Sequence, residues 1–178
     1  MIAALTRLTT NYADIEDRIL LAGEIANSPP VAMWLPQRLA LRLLPALFQW
    51  LDHQTGVTSS QASGALRSTA EVQKQVVHGF AQEAAKAELA PQQPVQIAGV
   101  GEGWLIHSVD LTPAQERLAL VFRAADGRAA GVALTAIELR QWLAILHGVW
   151  LAAGWPASVW PEWIQGEAKP SGQQIVLH

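Results

Sequence analysis

Cysteine is absent from the 178 residues. That excludes disulfides, thiolate zinc sites, iron–sulfur clusters and cysteine nucleophiles. Charge is sparse: only 15% of residues are Asp, Glu, Lys or Arg, few for a domain whose surface is large relative to its volume. Neither sign accumulates. Residues 1–63 carry four Arg/Lys against five Asp/Glu, 64–153 carry seven against eight, and 154–178 one against two, for a net charge of −3. With no basic segment, the electrostatic footprint of a phosphate-binding protein is missing and nucleic acid is disfavoured as a partner. Nothing is acidic enough for a solvating tail.

Long apolar runs are missing too. The most hydrophobic stretch, 139–155, contains Arg140, Gln141 and His147 and is shorter than the roughly 20 residues a bilayer span requires. A buried helix explains it better. No basic segment followed by an apolar core opens the chain, so no signal peptide is read. A cytoplasmic protein without a membrane span is the default expectation.

Local signatures of chemistry are equally scarce. No pair among His53, His78, His107, His147 and His178 has the His-x-x-x-His or His-x-His spacing that brings two imidazoles to one metal. There is no Gly-x-Ser-x-Gly elbow, and Ser108 beside His107 on a strand would face the other way. The glycine-rich stretch at 98–103 precedes a strand instead of opening a helix and lacks the Lys-Ser/Thr of a phosphate loop. We therefore expect no metal, no cofactor and no catalytic residue. A site assembled from scattered Asp, Glu, His and Arg remains as a third-ranked enzyme reading.

What is present is apolar patterning, 51% of the chain. Residues 4–10, 18–25 and 31–35 read as strands, with turn chemistry at Asn11–Asp14 and Asn27–Pro30. Residues 36–53 read as a helix kinked at Pro45. A small-polar stretch, 54–64, leads to a helix over 65–89, with Leu66, Ala70, Val76, Val77, Phe80 and Ala84 as its apolar side. The layout then recurs: a strand over 103–111, a second over 117–123, an Asp126–Gly127 hairpin turn, a third strand around Val132 and Leu134, and a helix over 135–153 opened by a Thr135/Glu138 capping box.

The expected fold is thus α+β: two antiparallel three-strand meander-plus-helix (βββα) units, 1–53 and 99–153, joined by the 54–98 connection with its linker helix and followed by a Trp/Pro-rich tail, 154–178. At an offset of 99 the halves align without a gap, Arg18 on Arg117, Leu21 on Leu120, Leu35 on Leu134 and Leu47 on Leu146. Internal duplication and chance likeness between leucine-rich units both explain six identities.

Eight tryptophans are several times ordinary usage. Trp50, Trp142 and Trp150 fall on helices and read as core. Trp155, Trp160 and Trp163 follow the last helix among prolines. Either they staple the tail to its own domain or they anchor another protein, and Trp160 and Trp163 are the pair expected at the surface. The composite expectation is a non-enzymatic interaction module, an adaptor, scaffold or subunit that self-associates as a homodimer or binds another protein. A nucleic-acid-associated accessory protein is the alternative.

Overall fold

The computed structural model describes residues 1–56, 65–90 (side chains from 70), 92–97 and 103–165. The polar linker at 57–64, the glycine-rich 98–102 and the tail from 166, with His178, lie outside the described residues, as does the Leu66 side chain.

The architecture is mixed α+β. Two hairpins begin where the sequence places left-handed turns. Asn27, at φ +57°, turns β2 (Arg18–Ile25) into β3 (Ser28–Leu35), and Gly127, at φ +90°, turns β6 (Arg117–Arg123) into β7 (Ala129–Thr135). Asn and Gly tolerate that backbone best. β1 (Ala3–Ala13) pairs antiparallel with β2, and β5 (Ser108–Pro113) with β6. The two meanders meet through β1 and β7, which run parallel but pair only at Ala3↔Ala130 and Ala4↔Gly131.

The strand expected over 103–111 is two strands. β4 (Trp104–Leu105) pairs with β3, whereas β5 pairs with β6. Between them Ile106 N–H donates to Trp34 O (2.9 Å) and His107 N–H donates to Arg123 O (2.7 Å). One stretch of chain thus passes from one edge of the sheet to the other, and the seven strands, in the order β4-β3-β2-β1-β7-β6-β5, curl almost into a ring.

Two helices pack on the sheet in the main core. α1 (Gln37–Gln54) starts after Pro36, an extended N-cap, and runs through Pro45 as one helix. α3 (Ala136–Ala152) carries the capping box in full. Thr135 Oγ1 accepts from Glu138 N–H, and Glu138 Oε2 accepts from Thr135 N–H. The main core draws on both halves: Leu21, Met33, Leu47, Leu120, Phe122, Leu143 and Leu146 are each 0% exposed. A smaller cluster of Leu20, Ala32 and Trp34, with Ile97 beside it, covers the outer face of β2 and β3. No helix among the described residues is long and apolar enough to cross a membrane.

Candidate functional site

α2 (Ala65–Ala87) lies against α3 with its pattern inverted. The residues at four-residue spacing that face inward are polar: Lys74, His78 and Gln82, the last two fully buried. The outward side mixes exposed Gln73 and Glu83 with apolar residues. Val72 is 63% exposed, Val76 50% and Phe80 74%, and Ala84 and Ala87 are exposed below them. A helix on a protein surface ordinarily does the reverse. The sequence expectation that Val76, Phe80 and Ala84 form the packed side of this helix is therefore corrected. Residues 78 and 80 stand about 200° apart around the axis, so burying the one exposes the other.

A buried cation in α3 causes the inversion. Arg140 is 3% exposed, and a buried guanidinium must be hydrogen-bonded and paired. Its Nη2 lies 2.9 Å from His78 Nδ1, and Nη1 donates to His78 O at 3.4 Å. A guanidinium only donates, so Nδ1 accepts and the imidazole proton sits on Nε2. Nε2 lies 3.0 Å from Asp52 Oδ1 at the end of α1, and Asp52 Oδ2 accepts from Lys74 Nζ at 2.8 Å. Gln82 Nε2 donates to Arg140 O (3.0 Å) and Gln141 Nε2 to Ala85 O (2.8 Å). The network fixes the azimuth of α2. Burial, with Arg140 next, holds His78 below its ordinary pKa of 6.5 against the opposing pull of Asp52. Burial lowers Arg140 to about 10, again against Asp52, and it stays cationic at neutral pH.

The tail closes over this network. Trp155, Trp160 and Trp163 are 8%, 2% and 8% exposed. The expectation that Trp160 and Trp163 lie at the surface is overturned, because the prolines redirect the chain without leaving it extended. Ala157–Val159 forms a 3₁₀ turn and α4 (Glu162–Gln165) a short helix. Rings then meet edge to face in sequence: Tyr12 on Trp155, Trp155 on Trp150, Trp150 on Trp160, Trp160 on Phe48 and Phe48 on Trp163, with centroids 4.8–6.0 Å apart. Trp163 ends the series over both His78 and the Arg140 guanidinium, 5.2 Å from its centroid. Trp155 Nε1 donates to Asp17 Oδ1 at 3.2 Å. His147, buried against Trp160, is held below 6.5 by burial, and Lys86 adds to the effect.

Chemically this arrangement positions α2 against α1 and α3. An Asp–His pair serves a hydrolase when a nucleophile stands on the far imidazole nitrogen, and here that nitrogen faces a cation. Sequence reasoning missed His78, Arg140, Asp52 and the outward stripe. The available signal was the phase of Lys74, His78 and Gln82, a polar row opposite an apolar one. Among the described residues no group of three His, Cys, Asp or Glu is placed to hold a metal ion. Comparison with protein-family models, with curated proteins and with solved structures finds no match.

Proposed function

We propose that this chain is a non-enzymatic interaction module that associates with a second copy of itself through the outer face of α2. One observation carries the reading: Val72, Val76 and Phe80 form an apolar row that the fold turns to solvent. Phe80 alone offers on the order of 150 Å².

The row suits a copy of itself. Residues at i, i+4, i+8 and i+12 make one ridge, and two such ridges interdigitate when helices cross at about −50°. About a two-fold axis on the outer face midway between Val76 and Phe80, Val76 meets Phe80 of the other copy and Val72 meets Ala84, the self-complementarity an isologous interface needs. Gly79 lies beside the crossing point. Nothing stands within 4 Å of where its Cβ would be, so the chain's own packing does not require a glycine, yet glycine inside a helix costs about 1 kcal/mol relative to alanine. Close approach of a partner helix would use that space. In this reading the buried Trp163 supports the interface from behind, through His78, and does not itself touch the partner.

The reading includes an origin by duplication. Ile19 faces Leu35 in the β2–β3 hairpin, and Leu118, 99 residues on, faces Leu134 in the β6–β7 hairpin. This shared register supports two copies of one unit. The first hairpins differ: Thr9 faces Ala22, whereas Ser108 faces Arg123, two residues out of step.

Sedimentation equilibrium of the full chain and of Phe80→Asp tests the association. The expected result is a mass near twice 19.2 kDa for the parent and a monomer for the variant, with thermal unfolding of the variant monomer as cooperative as the parent's. A parent that stays monomeric at 100 μM, or a variant that stays dimeric, overturns the proposal.

A further inference from the structure

We infer that the cavity between β1, β7 and α3 binds a small, neutral, largely apolar molecule that carries one hydrogen-bond acceptor. This rests on the cavity alone and does not depend on association through α2.

The cavity measures about 410 Å³, within the roughly 300–1,000 Å³ of small-molecule sites. It lies where β1 and β7 part after Ala4↔Gly131 and α3 packs against both strands. Leu8 of β1, Val132 and Leu134 of β7, and Trp142 and Ile145 of α3 supply apolar walls. The chain that follows α2 supplies another. Leu89, Ala90, Gln92 and Gln93 line the cavity there, and Val95 N–H donates to Thr9 Oγ1 at 2.9 Å, which ties this stretch to β1. Walls from four parts of the chain suit a compact molecule better than an extended one.

Charge selects against ions. Arg7 and Glu138 both line the cavity, and the protein itself answers both. Arg7 Nε lies 3.0 Å from Glu24 Oε2. Glu138 Oε2 accepts from Thr135 N–H at 2.7 Å and lies 3.7 Å from Arg117 Nη1. A charged ligand would lose its water without gaining an unpaired countercharge. A neutral molecule avoids that loss and gains by burying apolar surface against Trp142, Leu134 and Ile145.

One buried donor then asks for an acceptor. Thr10 is 5% exposed and lines the cavity. Its Oγ1 accepts from Trp142 Nε1 at 3.0 Å. An indole N–H only donates, so the Thr10 hydroxyl is the acceptor in that bond and keeps its own proton to give. Among the described residues no acceptor takes that proton. Thr6, on the same strand, gives its own to Glu24 O. Buried polar groups are ordinarily paired. A ligand oxygen would complete a relay from Trp142 N–H through Thr10 O–H to the ligand, in which each bond polarises the next. The acceptor of the ligand therefore sits at Thr10, and its apolar body against Val132, Leu134 and Ile145.

The probe is acetophenone, a neutral aryl ketone, titrated into the full ¹⁵N-labelled chain. Two comparators accompany it: α-methylstyrene, which has CH₂ in place of the carbonyl oxygen, and benzoate, which adds a charge. The expected result is shifts of the Thr10 amide and the Trp142 indole N–H, with the ketone binding about tenfold tighter than either comparator. Thr10→Ser should keep the preference for ketone over hydrocarbon, and Thr10→Val should erase it. That readout is a ratio of two ligands on one protein, so a loss of stability in the variant does not imitate it. No shifts at millimolar acetophenone overturn the inference. So do equal affinity for the hydrocarbon or for benzoate, shifts centred on Val72 and Phe80, or a preference that survives in Thr10→Val.

Discussion

The Trp163 indole lies nearly flat on the His78 imidazole, centroids 4.9 Å apart and planes 22° from parallel. A tail residue thus covers the polar side of α2 while the apolar side of that helix stays in water. Trp163 also sits over Arg140, so one ring shields both a neutral acceptor and the cation that donates to it.

Truncating this staple should cost stability first. Trp160→Ala, at a site 2% exposed, is expected to lower the unfolding free energy by about 3–5 kcal/mol, read by urea denaturation. The oligomeric mass of the fraction that remains folded should be unchanged. Normal melting with a changed mass would return the tail to the role of a direct contact.

Acid should destabilise the protein from neutrality downward. His78 and His147 are both held below 6.5 in the fold, in each case mainly by burial. The unfolded chain therefore takes up protons before the native one does, and stability falls with pH below about 6.5 until the native imidazoles also titrate. Each histidine contributes at most about 1.4 kcal/mol per pH unit. Urea midpoints between pH 8 and pH 5 should decline in the parent and decline less in His147→Gln.

Core truncation should be expensive at Leu143, which is 0% exposed. Leu143→Ala is expected to cost about 2–5 kcal/mol, and a thermal melt unchanged within error would remove this residue from the core.

Gly79→Ala should separate the two roles of α2. With nothing within 4 Å of the new Cβ, the folded monomer should gain up to about 1 kcal/mol. If α2 crosses its copy at this point, the dimer should weaken. A monomer stabilised at unchanged dimer affinity would move the crossing point elsewhere on the helix.

The sequence made the local structure legible wherever one residue decides the backbone. Asn27, Gly127 and the Thr135/Glu138 pair mark their turns and cap, and the alternation of Leu118, Leu120 and Phe122 marks the buried face of β6. What it hid is tertiary. Nothing in Trp104 to Leu111 announces that the chain changes sheet edges at Ile106, because both strands have ordinary strand composition. The azimuth of α2 was hidden for a similar reason. Val72, Val76 and Phe80 look like a core face until Arg140, 60 residues away from Phe80, is seen to require His78 and Asp52. The three tail tryptophans left staple and surface anchor open, since burial depends on where the prolines steer the chain.

The parallel junction has a consequence in time. Ala3 finds its partner Ala130 127 residues further on. At about 5–20 residues per second, a ribosome needs roughly 6–25 s to cover that distance. A β1–β2–β3 meander formed early holds one edge of β1 open throughout, and an open edge pairs with whatever strand arrives first. The nascent chain is therefore most prone to aggregate between the completion of β3 and the emergence of β7, and a holding chaperone would have its greatest effect on yield in that interval.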